Sequence, residues 1–200
     1  MKLVVGLGNP GENYRETRHN LGWESLERMI HRYRWSRGVA RFQGQFGDGL
    51  VGETRVYWLM PLTYMNLSGR AVAEALRFFK LDVADLVVLH DDMDLALGRL
   101  KIKRGGGNAG HNGLKSIQQT LGSGDFVRVR LGIGRPPEGH DPARFVLQRF
   151  TAVEREMIDA PLDRLAAALP LVLAGDYTGA MTRVALQPAV APPQTTPPSS

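Results

Sequence analysis

The 200-residue chain contains no cysteine. That removes disulfides, cysteine nucleophiles, zinc ribbons and iron–sulfur sites together. No stretch approaches the roughly 20 apolar residues of a membrane helix. The start, Met1-Lys2-Leu3-Val4-Val5-Gly6, has one charge and an apolar stretch too short for a signal-peptide core. These absences point to a cytoplasmic protein whose mature chain begins near Met1. Acidic residues are scarce in one region. From 99 to 135, Asp125 stands alone against Arg99, Lys101, Lys103, Arg104, Lys115, Arg128, Arg130 and Arg135, a net +7 inside a chain of +5. The remainder is therefore slightly acidic, and the basicity is regional, as a polyanion-docking face requires.

The length suits one domain. It is placed at 1–186, followed by 187–200, which holds five of the twelve prolines and no charge and reads as a disordered tail. Residues 2–6 read as a buried strand. Leu26, Met29, Ile30 and Tyr33 recur at helical spacing, predicting a helix over about 20–34. Strands follow at 41–47 and 56–60, then a helix after Ser68 with the stripe Val72, Ala75, Leu76 and Phe79, closing near Lys80. The run 86–89 is wholly apolar, as in a strand covered on both faces. In 99–103 and 127–131 the pattern alternates, which turns Arg128 and Arg130 outward with Lys101 and Lys103 and points to antiparallel edge strands. A helix at about 113–121 lies between them. The helical pattern over 152–174 carries Pro161 and Pro170, read as breaks or helix starts. Alternating strands and helices give an α/β fold, a mixed twisted sheet with helices on both faces.

Four constellations could carry chemistry. Gly6-Leu7-Gly8-Asn9-Pro10-Gly11 matches the dinucleotide fingerprint in letters. However, Asn9-Pro10-Gly11 is turn chemistry, the next helix starts too late to meet a phosphate, and no acid ends a second strand at the right distance. A tight turn, or a turn offering the Asn9 amide to a ligand, remains. His19 stands at a predicted helix start. Asp91, just past a buried strand, could fix its tautomer and leave the other ring nitrogen as a base. Such an aspartate orients rather than reacts, so Asp91→Asn is expected to keep part of the activity. Tyr64-Met65-Asn66 reads either as a helix cap over core residues or as a contact site. The loop 104–113, with His111 and Asn112 at its end and Lys103 and Arg104 at its start, can cradle a phosphate but lacks the Gly-Lys-Ser/Thr of a nucleotide loop. His90, Asp91, Asp92 and Asp94, with His19 and His111, could hold a metal. Neither metal-binding helix spacing is present, and adjacent aspartates point apart, so no metal and no cofactor is expected.

Taken together, Val5-Gly6-Leu7-Gly8-Asn9-Pro10-Gly11, Tyr14, Thr17-Arg18-His19-Asn20, Pro61-Leu62-Thr63-Tyr64-Met65-Asn66-Leu67-Ser68-Gly69, His90-Asp91-Asp92, Gly110-His111-Asn112-Gly113-Leu114-Lys115-Ser116 and Leu131-Gly132-Ile133-Gly134-Arg135-Pro136 resemble the bacterial peptidyl-tRNA hydrolases, in order and over roughly residues 1–184. Met60, just before Pro61, and Ala96 depart from that pattern, neither at a catalytic position. The resemblance implies a monomeric, metal-free esterase that cuts peptide from tRNA. His19 would be the base and Asp91 its support. Asn9 would tell N-blocked from free aminoacyl groups. Tyr14, Tyr64, Asn66 and Asn112 would contact substrate, with Asn112 also placing the water; Met65 and His111, inside the same motifs, are expected to bind beside them. Lys103 and Arg130 are expected to hold the tRNA acceptor region on the basic face. A non-catalytic RNA-binding protein of the same fold, like the plant chloroplast intron-splicing factors, is the alternative. The retained His19, Asp91 and asparagines argue against it.

Overall fold

A computed structural model describes residues 1–185; the proline-rich segment 187–200 lies outside them. Seven strands form one mixed sheet: β1 (Lys2–Gly6), β2 (Val39–Arg41), β3 (Gly44–Val51), β4 (Thr54–Pro61), β5 (Leu86–Asp92), β6 (Leu100–Arg104) and β7 (Val127–Gly132), in spatial order β2-β3-β4-β1-β5-β7-β6. The central strands β4, β1, β5 and β7 run parallel, while β2-β3-β4 is an antiparallel meander and β6 returns antiparallel to β7. Helices α1 (Leu21–Tyr33), α5 (Ala152–Leu173) and α6 (Tyr177–Ala185) cover one face, and α2 (Ser68–Phe79) and α3 (Asn112–Leu121) the other; α4 (Pro142–Phe145) is a single turn. The apolar runs are explained by this arrangement. In β1, Val4 joins the core under α1 and α5 while Leu3 and Val5 join that under α2 and α3, so every position must be apolar. Among the described residues no helix is long and apolar enough to cross a membrane.

The glycine fingerprint has a packing explanation. A Cβ on Gly6 would lie 2.5 Å from Gly22 O, and one on Gly22 would lie 2.3 Å from Leu89 O. Glycine at both positions lets α1 settle on β1 and β5. That seats the residues just before α1, including His19, against the end of β5. Helix α1 begins at Leu21, too late to receive a phosphate at the turn, as the sequence indicates.

Three expectations are corrected. Strand β7 is interior, and its Arg128 is buried rather than turned to solvent. Arg130 is half-buried and paired with Asp92, Nε to Oδ2 2.7 Å. Pro161 and Pro170 do not divide the C-terminal helix; both lie inside continuous α5. A helix-interior proline costs about 3 kcal/mol because the carbonyl four residues back loses its donor. For Pro170 that carbonyl is Ala166 O, and the Tyr33 hydroxyl donates to it at 2.6 Å. Burial of Ile158, Leu162, Leu165 and Leu169, each on the order of 1.5–3 kcal/mol, offsets the rest.

Candidate active site

The carboxyl ends of the parallel strands β1, β4 and β5 lie side by side, the place where open α/β sheets gather ligand-binding loops. From β1 comes Asn9, from β4 the segment Tyr64-Met65-Asn66, and from β5 Asp91. His19 sits in the short 3-10 turn Arg18–Asn20 that leads into α1.

The His19 Nδ1 nitrogen lies 3.0 and 2.9 Å from the two Asp91 carboxylate oxygens. The sequence-level pairing of these residues is therefore a contact. A carboxylate can only accept, so Nδ1 carries the proton and Nε2 keeps its lone pair. Asp91 is 3 % exposed and serves a second imidazole, His111 Nε2, at 2.9 Å. At His111 the opposite nitrogen, Nδ1, accepts the N–H groups of Gly113 and Leu114 at 3.1 and 3.3 Å, capping α3. Both nitrogens of His111 are thus committed, and its tautomer is set by backbone amides. His111 bonds Asp91 with one ring nitrogen and the start of α3 with the other.

The electrostatics follow. Burial pulls the His19 pKa down, but the charge of Asp91 and its hydrogen bond outweigh this and leave it raised above 6.5. Burial would push Asp91 up, yet the two imidazoles hold it well below the usual carboxylate range. His90 is fully enclosed. Its Nδ1 donates to Asp91 O at 2.9 Å, and burial with the neighbouring His111 lowers its pKa to about 3, so it stays neutral.

His19, Asp91 and His111 could be read as metal ligands, since one nitrogen or oxygen from each lies within 4.8 Å of the others. The hydrogen-bond pattern does not fit that reading. His111 Nε2 must bear a proton while Nδ1 accepts two amides, so coordination would require breaking the helix cap. The adjacent aspartates also diverge, Asp91 toward the histidines and Asp92 toward Arg130 and the Asp94 amide.

Asn9 and Asn20 exchange a reciprocal pair: Asn9 N–H donates to Asn20 Oδ1 at 2.8 Å, and Asn20 Nδ2 donates to Asn9 O at 3.0 Å. The Asn9 backbone amide is consumed and not offered to a ligand. Its side-chain oxygen accepts Met65 N–H at 2.8 Å, which leaves the NH2 group without a hydrogen-bond partner among the described residues. Gly113 packs against Met65 and Leu7, where a Cβ would meet Met65 Sδ at 2.6 Å. A closed ring of contacts results, from His19 through Asp91, His111, Gly113, Met65, Asn9 and Asn20 back to His19. Asn66 and Asn112, each beside a ring member, are exposed. Tyr64 is 62 % exposed and Met65 is buried, so the core placement holds for Met65 only, and the cap does not form: among the described residues no side chain caps the turn Met65–Leu67 or the start of α2. Tyr14 is half-buried, on the turn before His19.

Sequence reasoning missed Arg18 and Asn20. The Arg18 guanidinium, buried against the Phe145 and Phe150 rings, donates from Nη2 to both Glu154 carboxylate oxygens at 2.8 and 2.9 Å. Its backbone and that of His19 donate to Gln148 O and Val146 O. These bonds fix the His19 turn from behind. Nothing in the local sequence distinguishes such an arginine from a surface one. A broad hollow of about 1210 Å³ over α1 and α5 includes neither His19 nor Asp91, and its Arg28, Arg155, Glu24 and Asp159 are mutually paired.

A buried carboxylate holding an imidazole, beside asparagines at the ends of parallel strands, is the kind of polar site that α/β enzymes carry. The comparisons give the family. The peptidyl-tRNA hydrolase family model matches residues 3–192, and the chain belongs to that family. It is 51 % identical over 163 residues to a Geotalea daltonii peptidyl-tRNA hydrolase, covering 82 % of this chain and 85 % of that one. With the Paracoccus denitrificans protein of the same name it shares 46 % over 191 residues, 96 % and 81 % of the two chains. The crystal structure of the Acinetobacter baumannii peptidyl-tRNA hydrolase superposes with a TM-score of 0.86 at 33 % identity, covering 92 % of this chain and 94 % of that one.

Proposed function

We propose that the chain hydrolyses the ester joining a peptide to tRNA, with His19 as base. The observation that carries this is the His19 Nδ1–Asp91 contact, which leaves Nε2 open. Nε2 takes a proton from water as the oxygen attacks the ester carbonyl. The tetrahedral intermediate then collapses, and the imidazolium returns the proton to the departing ribose oxygen. Asn112 and Asn66 are the amides available to hold the water and the developing oxyanion. The reaction needs no cofactor. We place it in the cytoplasm, in a monomer, freeing tRNA from abandoned peptides. The test is release of tRNA from purified N-acetyl-aminoacyl-tRNA; a chain that binds this substrate without cleaving it would favour the RNA-binding alternative.

Asn9 is assigned the choice between blocked and free amines. At sequence level its amide could pair with a peptide group in both directions. With its oxygen engaged by Met65, it offers N–H donors alone. A blocked substrate presents a carbonyl that accepts them. A free α-ammonium presents only donors, and desolvating it against an NH2 group is costly. Asn9→Ala should lower activity on the blocked substrate about tenfold, the loss of one well-placed hydrogen bond, and narrow its preference. Asn9→Asp should narrow it further, by offering an acceptor to the ammonium. Assaying N-acetyl-aminoacyl-tRNA and aminoacyl-tRNA with both variants decides this; unchanged discrimination removes Asn9 from the selectivity argument.

The tRNA is assigned to the β6–β7 face. Lys101 stands opposite Arg130 and Lys103 opposite Arg128, like charges paired across two strands, which is destabilising in the absence of a partner. Arg104, Arg130 and Arg135 have carboxylate partners, whereas Arg99, Lys101, Lys103 and Lys115 are exposed with none among the described residues. Lys103→Ala and Arg130→Ala should raise KM for the full substrate several-fold and leave a short ester without the tRNA body nearly unaffected, the salt-dependent mark of phosphate contacts. Equal losses on both substrates would assign these residues to the catalytic step or the fold.

A further inference from the structure

Arg128 is 1 % exposed and has no carboxylate partner among the described residues. Its guanidinium lies 4.5 Å over the Phe126 ring. Nη1 donates to Gly107 O, Nη2 donates to Gly124 O at 3.1 Å, and Nε is buried without a partner. An unneutralised buried cation is costly, and an apolar side chain of similar volume would serve the core better. What the charge holds is the glycine loop. Gln118 assists from α3: its Nε2 donates to Gly106 O at 3.0 Å, and its Oε1 accepts from Asn108 Nδ2 at 3.0 Å.

The consequence is one of polarity. In a trans peptide the carbonyl and the following N–H point in opposite directions. With Gly106 O and Gly107 O drawn inward, the N–H groups of Gly107 and Asn108 turn outward, and neither has a partner among the described residues. Beside them stands the Lys103 ammonium, so close that a Cβ on Gly106 would lie 2.6 Å from Nζ. Successive outward amides next to a cation form an anion-binding concavity.

We propose that Arg128 is a positioning residue for tRNA docking: held beneath the loop, it keeps the Gly107 and Asn108 amides turned out, with Lys103, toward a phosphate of the acceptor stem. It rests on the reading that the β6–β7 face docks tRNA, and it adds a residue that never meets the substrate. The planar fork of arginine reaches two carbonyls at once, which a lysine ammonium on its flexible stem does not.

The experiment compares wild type, Arg128→Lys, Gln118→Ala and Lys103→Ala on N-acetyl-aminoacyl-tRNA and on the same acyl ester of a CCA trinucleotide. Arg128→Lys should raise KM for the full substrate about tenfold, the loss of one or two hydrogen bonds to phosphate. Its kcat and the trinucleotide KM should stay at wild-type values, and the slope of log KM against log salt should not change, because the charge is retained. Lys103→Ala should lower that slope by about one phosphate contact. Gln118→Ala, on the partly exposed side of the loop, should shift KM in the same direction by less, and it carries the test if Arg128→Lys does not fold. A wild-type KM in Arg128→Lys, equal losses on both substrates, or a Gln118→Ala variant without effect overturns the proposal. An unchanged KM in Lys103→Ala overturns the docking reading beneath it.

Discussion

Replacing His19 with alanine lowers kcat on an N-blocked aminoacyl-tRNA by about 10²–10⁴-fold, the usual contribution of a positioned base, and leaves the protein folded. The second half follows from the contacts. Among the described residues the His19 side chain bonds only to Asp91, and that carboxylate keeps His111 as a partner, so it is not left unpaired. The backbone bond from His19 N–H to Val146 O, 2.7 Å, and the Arg18 pair with Glu154 hold the turn without the ring. Thermal unfolding beside the activity measurement separates the two effects. A folded variant with most of its activity would end the assignment. The wild-type pH profile adds a check. Because Asp91 raises the His19 pKa above 6.5, against the pull of burial, kcat/KM should climb with pH through a value above 6.5 and level beyond it. Asp91 is held ionised far below that range, so it adds no limb of its own. A profile flat from about pH 6 to 8, across the ordinary histidine range, is incompatible with a His19 base.

The parts of this molecule that were legible in sequence are those governed by periodicity or by turn chemistry. The stripe Leu26-Met29-Ile30-Tyr33 gives α1, the unbroken run at 86–89 gives an interior strand, and Asn9-Pro10-Gly11 gives a turn that delays the next helix. The His19–Asp91 contact was accessible by a weaker rule, that residues just past buried parallel strands meet at one edge. What escaped depends on three-dimensional partners. The alternation in 127–131 places Arg128 correctly on the face opposite Val127 and Val129, but whether that face is covered depends on a loop arriving from β6. Pro170 breaks a helix in isolation; Tyr33, more than 130 positions earlier, supplies the donor that repairs it. The two bonds of His111 were likewise out of reach, one nitrogen taken by backbone amides and one by a carboxylate twenty residues away.

That accounting changes what Asp91→Asn should do. Read as a simple orienter, Asp91 could become asparagine with part of the activity retained. In the structure it must accept from two imidazoles, and an asparagine has one accepting oxygen and one NH2 group. The His111 proton is fixed on Nε2, because Nδ1 receives the Gly113 and Leu114 amides. The asparagine oxygen must therefore take the Oδ1 place, 2.9 Å from His111 Nε2 and 3.0 Å from His19 Nδ1, and its NH2 group takes the Oδ2 place, 2.9 Å from His19 Nδ1. That donor opposes a proton on His19 Nδ1 and drives it toward Nε2, the nitrogen that has to act as base, against a single shared oxygen where the carboxylate offered two. The variant carries an intact imidazole in the wrong tautomer, and its loss should approach that of His19→Ala, about 10²–10⁴-fold. A second substitution tests the reasoning. In Asp91→Asn/His111→Ala the asparagine is free to turn its oxygen back to His19 Nδ1–H, so the double variant should regain about tenfold or more over the single one, although it has lost another active-site side chain. Ordinary additive damage predicts the opposite order. Single-turnover rates on N-acetyl-aminoacyl-tRNA for the two single variants and the double variant give the answer. A double variant slower than Asp91→Asn would show that His111 does not dictate the orientation of the group at position 91.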